Sequence, residues 1–238
     1  MWQKKRNQFN NGTLPAFAMP ETIWFVTSNT GKFEEAKLAF SDLNVELKQF
    51  HPSSFEFIEP QHHQLEFIAQ SKLEQAQSYL DSKGEVANVL VEDAGLFIDA
   101  LDGFPGVYSS YVFDTIGLDG IVRLLSHLTS ENPNQLRSLR SASFHAVAVL
   151  SLNGTLFTGM GECKGYISTQ IKGEQGFGFD PIFIPNDIDI TGQSLLPGQT
   201  GMYSTHGATF GEVSSEQKNE FSHRKKAIKD IIQNISTG

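Results

Sequence analysis

The chain has 238 residues, 39% hydrophobic and 19% charged, with 19 Phe among them. That is enough apolar and aromatic material for a sizeable core, and it excludes disorder over the bulk of the chain. A net charge of −9 excludes a protein that tracks a nucleic-acid polymer, yet it leaves room for one small phosphate ester held by a few local cations.

From the N-terminus, residues 1–20 carry Lys4-Lys5-Arg6 and are broken by Gly12, Pro15 and Pro20. No signal-peptide core forms there, and they read as a flexible extension before a single domain, 21–238. Thr22 to Thr27 is a β-branched apolar run and predicts a buried strand. Ser28 to Lys32 predicts a polar turn, and Phe33, Ala36, Phe40, Leu43 and Leu47 recur at helical spacing after it. A second helix is predicted from Leu65 to Leu80, and Val89-Leu90-Val91 is a short strand ending at Glu92-Asp93-Ala94-Gly95. Leu118, Ile121, Val122, Leu125 and Leu128 mark a third helix, and Glu131 to Arg140 reads as a loop. Ser143 to Leu152 and Thr155 to Gly161 predict a hairpin around Asn153-Gly154. The lone Cys163 excludes an internal disulfide and thiolate metal clusters, reads as structural, and points to a reducing, cytoplasmic compartment. Gly173 to Asp180 and Asp187 to Gly207 predict loops, and Ala227 to Ile235 a final helix. No apolar run approaches the ~18–20 residues of a membrane span. Strand and helix alternate, so an α/β fold with a central sheet is expected.

Four segments have residue types suited to chemistry. Thr27-Ser28-Asn29-Thr30-Gly31-Lys32 joins a strand end to a helix start, where free amides and a lysine suit an anion; the alternative is an ordinary helix cap. It is not a Walker A loop, because Phe33 follows Gly-Lys and Val26 stands where a glycine is needed. Glu92 and Asp93 place two carboxylates at a strand end, a position suited to Mg²⁺, with a solvated turn as the alternative. They are adjacent in a strand, so a bend is expected if both serve one site. Gly176-Phe177-Gly178-Phe179-Asp180 offers close backbone approach, two stacking rings and an acceptor for base N–H groups, or else a structural turn. Lys218 and Ser222-His223-Arg224-Lys225-Lys226 open the last helix, the wrong end for cations on dipole grounds, so they are expected to face an anion or acceptor. His62 and His63 read as surface loop residues.

These segments occur together and in this order, and with them the chain resembles the inosine triphosphate pyrophosphatase family, the house-cleaning enzymes also called non-canonical purine nucleoside triphosphate pyrophosphatases. The likeness is carried by Thr27–Lys32, Val91–Leu96, Leu101–Tyr108, Gly176–Phe183 and Lys218–Arg224, and it runs from residue 22 to 235. It implies an elongated, two-lobed α/β fold with a long central mixed β-sheet flanked by helices and a substrate groove between the lobes. It implies a hydrolase that splits ITP, dITP or XTP into the monophosphate and pyrophosphate with Mg²⁺, and a homodimer. Carried over residue by residue, Thr27, Ser28, Asn29, Thr30, Gly31 and Lys32 cradle the triphosphate, with Lys72 as a further phosphate lysine. Glu92, Asp93 and, by a looser match, Glu59 hold the metal, and Asp93 is the expected base. Ala94 lies beside them. Phe177, Gly178, Phe179 and Asp180 hold the base, completed by Lys218, His223 and Arg224. Two departures stand out: Ala94 replaces a hydroxyl residue and Ser110 replaces a lysine of many members, which keeps open a catalytically weak nucleotide sensor on the same fold. A pyrophosphatase for other modified nucleotides is the third reading. Residues 187–209 are longer and more polar than usual for the family.

Overall fold

The computed structural model describes residues 20–41, 43 and 45–237. The extension expected over 1–20 lies outside these, Pro20 excepted. Seven strands form one mixed sheet: β1 (Thr22–Val26), β2 (Glu46–Phe50), β3 (Val89–Ile98), β4 (Pro105–Gly106), β5 (Ser141–Leu152), β6 (Thr155–Ile167) and β7 (Phe183–Pro185). Their order is β2-β1-β3-β5-β6-β7, with β4 paired to β3. The β2-β1-β3 part is parallel and the remainder antiparallel. Helices α1 (Thr30–Ala39), α2 (Leu65–Ser82), α3 (Ser109–Thr115), α4 (Gly117–Leu124), α5 (Pro133–Leu139), α6 (Ser215–Phe221) and α7 (His223–Thr237) flank it. The expected α/β class with a long mixed sheet is what forms.

The sheet's two faces are covered by different helices. Leu90, Ala146, Ala148 and Leu150 pack with Ala36 of α1 and Ala227, Ile228 and Ile231 of α7. Val89, Val91, Val147 and Val149 pack with Leu65, Ala69, Leu73, Ala76 and Leu80, the apolar stripe of α2. The β5–β6 hairpin turns at Asn153 (φ 50) and Gly154 (φ 81), the left-handed pair that matches the strands' own twist. Gly159 and Gly161 of β6 lie directly under the α7 backbone, where a side chain would collide with Ala227 and His223.

Five expectations need correcting. The first helix stops at Ala39, and Leu47 lies in β2, where it is the one buried residue of the strand, with Glu46 and Lys48 exposed on either side. β3 runs on through Glu92 and Asp93 to Ile98, so the acids are mid-strand and not at a turn. Residues 133–139 are helical because Asn132 Oδ1 accepts the Asn134 and Gln135 amides while Pro133 takes the first position. The return strand reaches Ile167, well past Gly161. Lys218 lies on its own short helix, α6, separated from α7 by Ser222 (φ −56, ψ 119). Residues 187–207 form no helix and only isolated bridges from Ile188 to Ser194 and Tyr203, as a loop should.

Candidate functional site

Glu92 and Asp93 occupy opposite faces of β3. Glu92 shares the α1/α7 face with Leu90, and Asp93 shares the α2 face with Val91. The register with β5 is unbroken across both, Glu92 opposite Ala148 and Asp93 opposite Val147, so the expected bend is absent. A gap in the sheet takes its place. Pairing with β1 ends at Val26–Val91, and pairing with β4 starts only at Leu96. The edge of β3 between them is open, and a single cavity of about 1000 Å³ lined by both acids occupies that space.

One end of the cavity is a buried network of charges. Arg224, 1% exposed, places Nη2 3.0 Å from Glu92 Oε1 and pairs through Nη1 with Glu35 of α1. Lys218 Nζ lies 2.6 Å from both Glu35 Oε1 and Asp180 Oδ2. The Phe177 amide donates to the same Asp180 oxygen at 2.8 Å. Lys32 Nζ stands 2.9 Å from Glu92 Oε2 as an ion pair. Burial alone would raise the Glu92 carboxyl, but Arg224 and Lys32 hold it down at about 2. Burial would lower Lys218, and Asp180 and Glu35 raise it above the usual lysine range. His223 is driven well below its ordinary value by burial and by Arg224, so it is a neutral ring. It stacks on Phe144, centroids 5.0 Å apart and planes 10° apart, and its Nδ1 has no hydrogen-bond partner among the described residues. Arg224 at the start of α7 and Lys218 on α6 therefore face carboxylates, as expected, whereas His223 does not.

The other end is incomplete. Asp93 makes no hydrogen bond or ion pair with a described residue. Burial pushes its carboxyl up to about 6; Lys32 and Lys72 pull it down, and Glu92 and Glu59 push it further up. Lys72 Nζ lies 2.8 Å from Glu59 Oε1, but the Glu59 side chain is 59% exposed. Residues 51–57, the segment after β2, form the wall beyond, with Phe55 and Phe57 among them. No group of three His, Cys, Asp or Glu residues converges as a ready cation cage among the described residues. Mg²⁺ asks for less: one or two carboxylates, with water and phosphate oxygens completing six. Asp93, without a partner, and Glu59, also on the cavity wall, fit that requirement in donor chemistry.

Most predicted residues meet in this cavity: Thr27, Ser28, Asn29, Lys32, Glu59, Lys72, Glu92, Asp93, Ala94, Phe177, Gly178, Phe179, Asp180, Lys218, His223 and Arg224 all line it. Thr30 and Gly31 do not. Asn29 caps α1, its Oδ1 accepting the Lys32 amide at 2.9 Å. Phe179 is 4% exposed and packs edge-on to Phe113 on the cavity wall, so of the two rings Phe177 is the freer. Ser110 also lines the cavity. Cys163 is buried, with its thiol pushed up to about 12 by that burial, consistent with a structural role. His62 and His63 stack on each other away from the site. Sequence reasoning missed Glu35, whose signal was present: it lies four residues after Gly31, on the same face of a helix that starts at the anion loop. It also missed Ser109, whose Oγ donates to Gly106 O (2.7 Å) and accepts from Leu96 N (2.8 Å), tying α3 to β3. No helix among the described residues is long and apolar enough to cross a membrane.

The chain is similar to known proteins over most of its length. The family model of the Ham1 family matches residues 23–234. A dITP/XTP pyrophosphatase of Methanopyrus kandleri is 38% identical over 212 residues, 89% of this chain and 94% of its own. One from Thermococcus kodakarensis is 37% identical over 207 residues, 87% and 93% of the two chains. The structure of a HAM1 protein from Coxiella burnetii superposes with a TM-score of 0.65 at 25% identity, over 91% of this chain and 99% of that one.

Proposed function

The chain belongs to the Ham1 family, and on that premise we propose that it hydrolyses ITP, dITP and XTP to the monophosphate and pyrophosphate. The observation that carries the reading is Asp93: a buried residue whose carboxylate has no hydrogen-bond partner among the described residues, in one cavity with Lys32, Lys72 and the charge network of Lys218 and Arg224. Such an acid costs stability unless a ligand or a reaction uses it, and acids raised in this way cluster at functional sites.

In this reading the phosphates lie along Thr27, Ser28, Asn29, Lys32 and Lys72. Asp93 takes the proton from the water that attacks the α-phosphorus. Asp93 and Glu59 would hold Mg²⁺, with Glu92 behind them; bound there, the ion neutralises phosphate charge and stabilises the charge that builds on the phosphoryl oxygens. Lys32 and Lys72 are set on Glu92 and Glu59 in this structure, within reach of the same phosphates. At the other end Phe177 stacks on the purine, and Lys218 and Arg224 donate toward its 6-oxygen, where adenine's amino group would meet donors and be refused. The homodimer is proposed on the exposed rings of Phe104, Tyr108 and Tyr111, 39%, 47% and 70% accessible within one segment, and sedimentation tests it. A cytoplasmic location, drawn from the single free cysteine, is tested by cell fractionation.

The deciding experiment is pyrophosphate release from ITP, XTP, dITP, dATP and dGTP, with Mg²⁺ and with EDTA. Release from the first three, far faster than from the last two and abolished by EDTA, is expected. No release from any of them overturns the enzyme reading, equal rates overturn the selectivity, and full activity in EDTA overturns the metal.

A further inference from the structure

Gly31 belongs to the anion loop by sequence, yet it does not line the cavity. Its φ lies outside the left-handed range, so its backbone does not require glycine. It occupies the first turn of α1, where glycine is a poorer choice than alanine. What requires glycine is space. A Cβ at position 31 would stand 2.5 Å from Cδ1 and 2.8 Å from Cε1 of Phe177.

We propose that Gly31 is the positioning residue for the Phe177 ring, and through that ring for the purine; the inference rests on the base-stacking reading above. Phe177 is flanked by Gly176 (φ 73) and Gly178 (φ 58), so its own loop supplies little bulk to hold the ring. The ring is held by what surrounds it: Gly31, Lys218 Nζ 4.5 Å from its centroid, and Arg224 Cζ at 5.8 Å. Glu35, one turn after Gly31 on the same face of α1, fixes both cations. A single helix thus sets the ring's place twice, by leaving room at position 31 and by anchoring its cations from position 35. The same helix begins at the loop that receives the phosphates, so the two ends of the nucleotide are read against one rigid element.

The test is Gly31→Ala. The variant folds, because what the methyl group displaces is a side-chain ring in a loop flanked by two glycines. Its KM for ITP and its Kd for IMP, measured by calorimetry, rise about three- to tenfold, with a smaller change in kcat, because one aromatic contact is displaced. The preference for ITP over dATP falls, while the inhibition constant of inorganic pyrophosphate, which touches only the phosphate end, holds. In a Phe177→Ala background, Gly31→Ala has no further effect on either constant. Unchanged KM and Kd overturn the inference. So does a parallel rise in the pyrophosphate constant, or an equal penalty without the ring. An unsubstituted protein that binds IMP but turns over nothing overturns the proposed function and leaves the Gly31 measurement decisive; one that binds no IMP overturns both.

Discussion

The two ends of the cavity are built on opposite electrostatic plans. At the base end, Arg224 and Lys218 are matched by Glu35, Glu92 and Asp180, all largely buried and most at hydrogen-bonding distance. At the proposed phosphate end, Asp93 has no hydrogen-bond partner among the described residues, and Glu59 of the Glu59–Lys72 pair is open to solvent. Paired charges that leave His223 Nδ1 without a hydrogen-bond partner among the described residues are preorganised for a neutral ligand that offers hydrogen bonds, which in the proposed reading is the purine. An end with a surplus carboxylate next to lysines lacks a cation and an anion together, and a metal–phosphate group brings both. In the proposed reading, the cavity is prepared for the purine and still open for the metal–phosphate group.

The sharpest way to break this contrast is at Asp93. Asp93→Asn is expected to lower turnover about 10²–10⁴-fold in steady-state pyrophosphate release while ITP binding persists. Near-normal rates would remove the base assignment and, with it, the sense of leaving that acid unpartnered. Next is the closed end. Arg224→Ala removes a cation shared by Glu92 and Glu35, which keep Lys32 and Lys218, and should cost about 1.5–3 kcal/mol in denaturant unfolding, the range for hydrogen bonds to charged groups. A loss below about 1 kcal/mol would mean the network is no more closed than a surface pair.

The ends also carry opposite pH signs. The Asp93 carboxyl, raised from 3.8 to about 6, holds its proton more tightly in the folded chain. Its contribution is therefore full below 3.8 and is lost as pH rises through about 6. Asp93→Asn removes that loss, so in EDTA at pH 8 it should be more stable than the unsubstituted chain by about 2–3 kcal/mol at most. Near pH 4 the two should converge. Glu92, lowered from 4.5 to about 2, stabilises above pH 4.5 and loses that contribution as pH falls through about 2. Melts of Glu92→Gln against pH should flatten that acid limb. The smallest effect belongs to the open end: Lys72→Ala should change stability by less than about 1 kcal/mol while raising KM for ITP. A large loss of stability there would erase the difference between the ends.

Some of this was legible without coordinates. The α/β alternation, the hairpin at Asn153–Gly154 and the α2 stripe follow from short-range pattern; the segments around Lys32, Glu92, Phe177 and Arg224 stood out by residue type, and Lys72 and Glu59 entered only through the family resemblance. A strand's period, a turn's left-handed pair and a lysine after a strand end are all written within a few neighbouring residues. Where the pattern was ambiguous it misled, as at Leu47, whose spacing from Leu43 suits a helix while its charged neighbours suit a strand. What stayed hidden depends on where distant pieces stop and meet. Glu92 and Asp93 share a cavity because β1 ends at Val26, not because β3 bends. Glu35 acts at the base end because α1 lies against a residue 189 positions away. Gly31 turns from a loop residue into the floor under Phe177 for the same reason. By itself the sequence determined which residues carry charge, rings and acids, since those are local properties. Only the tertiary structure decided which of the charges are satisfied and which is left open, because pairing energy depends on distance and burial, and neither is a property of a residue in isolation.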